Sequence, residues 1–272
     1  MKKSGRVLFI ACALLFMYAP ILILAVYSFT DATTIGAIRG FSLQNYVTLF
    51  TTPELTDMIW GSVALALGSA LVATLFGTSG AIGAFYSKRR SQAAISTMNQ
   101  IPVVNADVVT GFSITILLVI VFGISKDTYI PLIIGHSVLC APFVYLSVMP
   151  KLKQMDPSLY EAALDLGASP AIALRKIIIP QIFPGIISGF ALAITLSLDD
   201  YFITTYTKPA TFDTISTYVV NATKGSQTSI KTALWALSTI IFLIVLAVAI
   251  GMNLSSKSSS SMDEYEKKGG AK

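Results

Sequence analysis

Three carboxylates stand where a polypeptide seldom tolerates charge. Asp107, Asp199 and Asp200 lie inside or against long apolar runs, and no Lys or Arg falls within any of those runs. An ionisable group in an apolar layer is costly, and it is kept where it faces a cavity, a water path or a partner. A path that shows acids and no bases suits a cationic cargo; an anion path would show Arg, Lys or helix N-termini. Asp199 and Asp200 follow Thr195-Leu196-Ser197-Leu198 and precede Tyr201-Phe202. Helical neighbours point about 100° apart, which leaves one of the pair free to face a pathway while the other caps or pairs. An interfacial turn with solvated carboxylates is the alternative. Asp107 ends the stretch Pro102-Val103-Val104-Asn105-Ala106-Asp107. Proline breaks a helix and Asn105 or Asp107 can recap it, so Asp107 is either a helix cap or a pathway residue. Tyr46, Tyr201 and Phe202 offer aromatic faces to an ammonium group, or anchor the chain at an interface.

Other chemistries are missing. A phosphate-cradling loop of the form G-x-x-x-x-G-K-[ST] needs a Gly-Lys pair, and the sequence has none. The chain is therefore expected to hold no nucleotide and no catalytic residue. His136 is the single histidine and cannot build a metal cluster; it reads as a hydrogen-bonded packing residue. Cys12 and Cys140 sit in separate apolar runs and read as small buried hydrophobes. No metal site is expected.

The elements that must position these groups are membrane spans. Of 272 residues, 54% are apolar and only 12% charged, against roughly 45–50% and about 25% in soluble domains. Mean hydropathy is +0.73 and the isoelectric point about 9.1. The basic residues flank apolar runs, so their excess does not indicate nucleic acid. Six runs are long enough to span a bilayer: Val7–Phe29, Met58–Tyr86, Ile101–Phe122, Ile130–Met149, Phe183–Thr204 and Thr232–Leu254. The expected fold is all-α and integral to the membrane, with six transmembrane helices. The segments alternate in charge, with Lys2, Lys3, Arg6, Lys88, Arg89, Arg90, Lys151, Lys153, Arg175, Lys176 and the basic residues of the tail on one side. That bias places both termini in the cytoplasm. Residues 1–57 form a first span and outer loop, in which Phe41–Tyr46 suits a short interfacial helix. Residues 58–254 form a five-span core. Residues 255–272, rich in Ser, Lys and Glu, form a disordered tail.

The segment Lys151–Gln181, between the fourth and fifth runs, carries local structure of its own. Asp156-Pro157 is an N-cap followed by proline at the first helical position. Gly167 supplies a left-handed stop, and Ser169-Pro170 starts a second helix that runs to Ile179, before Pro180. The pattern Glu161-Ala162-Ala163, three residues, Gly167, nine residues, Ile177, one residue, Ile179-Pro180 resembles the EAA loop of bacterial ABC importer permeases. The departure from that pattern is Ile179 where the family has Leu. The resemblance implies a type I ABC importer permease fold in the bacterial inner membrane. It also implies a docking surface of Glu161, Ala162, Ala163 and Gly167 for a cytoplasmic ATPase dimer, which would supply the ATP-Mg. A second homologous permease subunit and an extracytoplasmic substrate-binding protein complete the implied assembly.

Ser197-Leu198-Asp199-Asp200-Tyr201-Phe202, followed by Lys208-Pro209, is similar to the permeases of spermidine/putrescine importers. Supporting similarity runs through Glu161–Ser169 and Leu174–Ile177. This resemblance implies that Asp107, Ser197, Asp199, Asp200, Tyr46 and Tyr201 line a polyamine pathway. The alternatives are a related ABC permease for an iron complex, sulfate or another cation, and a stand-alone ion-coupled transporter. The EAA loop disfavours the last, because a symporter has no ATPase to dock.

Overall fold

The computed structural model describes residues 3–32, 40–156, 158–224, 232–243 and 246. Every long apolar run in them is helical, as a chain that must bond its own backbone in lipid requires. Helix α1 (Lys3–Ser28) and α2 (Gln44–Thr51) precede α3 (Pro53–Phe85). Next come α4 (Arg89–Val104) and α5 (Asp107–Thr115), the latter continuing through a wide π-turn at Ile116–Val121. Helix α6 (Ile130–Gln154) leads to the short α7 (Ser158–Asp165) and α8 (Pro170–Ala173). A second π-turn, Leu174–Ile178, joins α8 to α9 (Ile179–Asp199). Helices α10 (Phe202–Thr207), α11 (Ile215–Lys224) and α12 (Thr232–Leu243) follow. The chain divides into two compact units, one of residues 1–56 with 221–272 and one of residues 57–220. Pro157, the tail and the end of the sixth expected run lie outside the described residues.

The expected span count needs correction. Four helices among the described residues are long and apolar enough to cross a membrane: Phe9–Ser28, Pro53–Phe85, Ile130–Gln154 and Pro170–Asp199. A fifth exists only if α4 and the helix Asp107–Val121 count as one span bent by 102°. The expected straight run Ile101–Phe122 is therefore broken. Pro102 lies inside α4, and the chain turns extended at Asn105 and Ala106 before it restarts. Hydropathy is blind to such a bend because composition is the same on both sides. Thr232–Leu243 is apolar but short of a full crossing within the described residues. The outer surface is apolar where lipid would lie: Phe16 is 84% exposed in the first unit, and Phe76 66% in the second.

A second correction concerns Pro180. The helix beginning at Pro170 does not end before it but runs on to Asp199. Proline has no N–H and its ring crowds the carbonyl four residues back. The π-turn widens the backbone just ahead, with Ile179 N–H bonded back to Leu174 O, and Pro180 falls in the first turn of α9, where a missing donor costs little. The fifth expected run, Phe183–Thr204, is also two elements: α9 stops at Asp199 and α10 starts at Phe202.

In the second unit α3, α6 and α9 pack against one another. The buried face of α9 is Ile182, Gly185, Gly189, Ala193 and Ser197, a small residue at every fourth position from Gly185 onward. Lipid tails are as apolar as leucine, so helices in a bilayer associate through close packing, which small residues permit. A Cβ added at Gly189 would stand 3.1 Å from Val144 Cα, and one at Gly185 would stand 3.1 Å from Ser147 O. Gly77 of α3 meets the same stretch of α6: a Cβ there would reach Ala141 O and Val144 Cβ at 2.7 Å. Gly77→Ala therefore has to push α3 off α6 and should destabilise the solubilised protein by about 1–3 kcal/mol. Gly68→Ala, with nothing within 4 Å of the new atom, should be neutral or stabilise by up to about 1 kcal/mol. Thermal unfolding in detergent compares the two, and equal melting temperatures would contradict the close seam.

Candidate functional site

The acidic residues gather at the end of the Pro170–Asp199 helix remote from Pro170. Here α9 ends, Asp200 turns extended at φ −68° and ψ 128°, and α10 begins. A new helix leaves its first amides without partners. The Asp200 carboxylate meets them: Oδ1 accepts from Ile203 N–H at 3.2 Å and Oδ2 from Thr204 N–H at 2.7 Å. Oδ2 also accepts from Thr204 Oγ1 at 2.9 Å. Asp200 is only 8% exposed. A buried carboxylate is tolerated when its oxygens are bonded in this way.

Behind that cap runs a buried polar chain. Thr204 Oγ1 lies 2.9 Å from His136 Nε2, which is 3.7 Å from Asp200 Oδ2. On the far side of the ring, Nδ1 is 2.7 Å from Ser197 Oγ, and Ser197 Oγ is 3.1 Å from Ser69 Oγ. The chain thus links α10, α6, α9 and α3. His136, Thr204 and Ser69 are fully buried and Ser197 nearly so. Interhelical hydrogen bonds in membranes contribute about 0.6 kcal/mol each on average. The greater constraint is that an unpaired buried group costs about 1–3 kcal/mol.

Helix α10 is wedged between α5 and α6 by two glycines. An added Cβ at Gly111 would stand 3.0 Å from Ile203 Cα, and one at Gly135 would stand 2.8 Å from Ile203 Cγ2. Thr115 Oγ1 donates to Tyr206 O at 3.1 Å, and Phe112 packs edge-on against Tyr206.

The residues expected along a pathway separate into two groups. Asp199 is exposed, and among the described residues its carboxylate meets no hydrogen-bond partner. Asp107 is also exposed and stands first in α5, where a negative charge suits the helix dipole. It is not the cap: Ala106 holds that position, and Asn105 Nδ2 donates instead to Thr110 Oγ1 at 3.0 Å. Ser197 and Asp200 are buried and hydrogen-bonded within the second unit. Tyr201 is half-buried, edge-on to Phe202 at 5.3 Å. Tyr46 belongs to the other unit, where its hydroxyl is 2.9 Å from Ser28 Oγ and its ring packs on Phe29. Neighbouring Asn45 ties the same turn by donating to Ser28 O and Thr30 O.

His136 is the hydrogen-bonded packing residue that its sequence setting suggests, whereas no motif marks its partners Ser69 and Thr204. The available signal was spacing: Ser197, Ala193, Gly189 and Gly185 form one helical stripe, and its polar end requires a partner. A mainly apolar cavity of about 320 Å³ between α3 and α6 is lined by Gly61, Leu65, Gly68, Tyr129, Leu132 and Phe212, none of them charged. Among the described residues no group of His, Cys, Asp and Glu is placed to hold a metal ion.

The Glu161–Ala168 turn forms much as its sequence indicates. Asp156 Oδ1 accepts from Ser158 Oγ at 2.7 Å and Ser158 N–H at 2.9 Å. These bonds, the side-chain one first, hold the Asp156 carboxyl below the ordinary carboxylate range. The cap therefore persists above that range and is lost as pH falls through the lowered value. Gly167 has φ +84°, and Ala168 N–H bonds to Ala163 O while Gly167 N–H bonds to Leu164 O. That is the paired closure of a left-handed helix stop. Ser169 Oγ caps α8 through Ile172 N–H at 3.4 Å. Glu161, Ala162 and Gly167 are exposed with Leu166, whereas Ala163 is buried and does not share their surface.

Residues 78–258 match the family described as the binding-protein-dependent transport system inner membrane component. The chain is 32% identical over 235 residues to the spermidine/putrescine transport system permease protein PotC of Haemophilus influenzae, covering 86% of this chain and 90% of that one. It is 31% identical over 210 residues to the putrescine transport system permease protein PotI of Escherichia coli, covering 75% of each. Among solved structures, 92% of the chain aligns with 92% of a chain from a bacterial alginate ABC transporter, at TM-score 0.69 and 20% identity. The alignment with the MetNI methionine ABC transporter covers 71% of this chain and 92% of that one, at TM-score 0.56 and 18% identity. The chain belongs to this family: it is a multi-pass inner-membrane permease subunit of an ABC importer, and not an enzyme. It is closely related to the permeases of the spermidine/putrescine systems.

The Asp200 cap yields a stability test. Asp200→Ala leaves two buried amides unpaired and should cost about 2–3 kcal/mol. Asp200→Asn keeps one acceptor oxygen and should cost about 1 kcal/mol. Thermal unfolding of the solubilised protein measures both, and two equally small shifts would contradict the capping role.

Proposed function

We propose that this permease carries polyamines and that Asp199 is the carboxylate their ammonium groups meet. The observation that supports this most is the split between the paired acids. Asp200 is buried and fully bonded, while Asp199 is exposed at the end of an apolar helix with no described partner. A carboxylate so placed suits a water-filled path better than lipid. The kinship with spermidine/putrescine permeases points to the same cargo. Lys208, the cation that follows α10, is engaged with Asp213 Oδ1 and Phe212 O at 2.7 Å each, so it offers little to an anion. A transport site must attract the cargo and still release it. One exposed carboxylate meets both demands: at about 4 Å it attracts each ammonium by about 1 kcal/mol in water and about 4 kcal/mol near a protein surface.

Membership of the family supports a wider assembly. The long apolar helices, four or five among the described residues, supply membrane spans of a type I fold, and the Lys and Arg bias puts both termini in the cytoplasm. Glu161, Ala162 and Gly167 dock on an ATPase dimer that binds ATP-Mg. A second homologous permease closes the pathway, and an extracytoplasmic binding protein delivers the cargo. Asp107 gives the cation a second acidic contact.

The test is uptake of labelled spermidine by the importer reconstituted with its ATPase and binding protein. Asp199→Asn keeps size and a carbonyl acceptor and removes only the charge. It should lower uptake about tenfold, the equivalent of about 1.4 kcal/mol, with normal membrane abundance and ATPase assembly. Full uptake by this variant would contradict the proposal.

A further inference from the structure

We propose that His136 is a positioning residue for Asp199: its imidazole staples α9 to α10 and so fixes the direction in which the Asp199 carboxylate points. The inference rests on the reading of Asp199 as the cation-meeting group.

Proton accounting gives the staple its sense. The single hydroxyl proton of Thr204 is directed at Asp200, to Oδ2 at 2.9 Å. The Asp200 carbonyl oxygen at 3.3 Å is likewise an acceptor for that proton, so toward the imidazole Thr204 Oγ1 accepts, and the donor there is His136 Nε2–H at 2.9 Å. In a neutral ring Nδ1 is then the acceptor, and Ser197 Oγ–H donates to it at 2.7 Å. One side chain of α6 thus holds a residue of α9, two positions before Asp199, and a residue of α10, five positions after it. Ser197 is pinned against α6. Two residues further on, a helix has turned about 200°, so the Asp199 side chain projects away from α6. That rotation accounts for the exposure of Asp199 beside a buried Ser197. If Ser197 is released, α9 can turn about its axis and carry the carboxylate with it. His136 itself is fully buried and touches no cargo.

The test reads orientation directly. In a Cys12→Ser background, Asp199→Cys places a thiol at the position, while Cys140 stays buried. The purified complex is labelled with a cationic methanethiosulfonate, with His136 intact or replaced. His136→Gln reaches Thr204 and gives up Ser197; His136→Asn keeps an acceptor for Ser197 and gives up Thr204. The labelling rate of the thiol introduced by Asp199→Cys should change about fivefold or more in His136→Gln, the scale of one lost stabilising interaction, and less in His136→Asn. Thr204→Val is run in the same series, so the result stands even if His136→Gln fails to assemble. In parallel, His136→Gln should raise the half-saturating spermidine concentration when Asp199 is present and change uptake little in an Asp199→Asn background, the non-additivity expected of residues acting as one unit. Unchanged labelling in His136→Gln and Thr204→Val, absence of labelling of the Asp199→Cys thiol throughout, or losses that simply multiply would each overturn the proposal. If labelling shifts as expected but the intact importer carries no polyamine, the staple stands and the cargo assignment falls.

Discussion

A backbone that stops being helical inside a protein must find new partners for the amides and carbonyls it frees. The break between α9 and α10 is where this chain meets that demand at closest quarters. Asp200 accepts from the free amides of the new helix, Thr204 bonds back to Asp200, and His136 ties Thr204 to Ser197 across the gap. The second break, between α4 and α5, is met differently. Asn105 bonds Thr110, Ala106 O accepts from Val109 and Thr110 N–H, and an acidic residue stands in the first turn. Each break leaves one carboxylate exposed, Asp199 at the first and Asp107 at the second. In both places, maintaining the backbone's hydrogen bonds and exposing a charge are the same piece of architecture.

The seam and the polar chain depend on each other. Ser197 ends the small-residue stripe by which α9 lies on α6, and it is also the first polar link to His136. The close approach permitted by Gly185 and Gly189 brings Ser197 within 2.7 Å of the imidazole. Cys140, one turn along α6 from His136, donates to Ala193 O at 3.3 Å within the same contact. The glycines at 111 and 135 do for α10 what those at 185 and 189 do for α9. Small residues thus set the helix positions, and the buried side chains between them set the rotation.

What could be read from the sequence was what local chemistry decides. The Gly167 stop and the Ser169 cap were legible because capping depends on a few adjacent residues. The apolar runs were legible because lipid imposes a length on them. The bend at residues 105–106 was not, since two short apolar helices and one long one have the same composition. Pro180 misled because a wide turn upstream accommodates it, and no single residue announces a π-turn. The division of labour between Asp199 and Asp200 was open in the sequence. It is decided by Thr204 and His136, 4 and 64 positions from Asp200, which only the packing of α6 brings together.

The backbone just after Asp199 is a closed, hydrogen-bonded break and not a loose loop. Hydrogen–deuterium exchange across residues 201–207 of the assembled importer measures this most directly. Exchange at Ile203 and Thr204 should be slow, comparable to the interior of α6, and fast at the same amides once Asp200 is replaced by alanine. Fast exchange there in the native protein, or protection unaffected by the loss of Asp200, would contradict it.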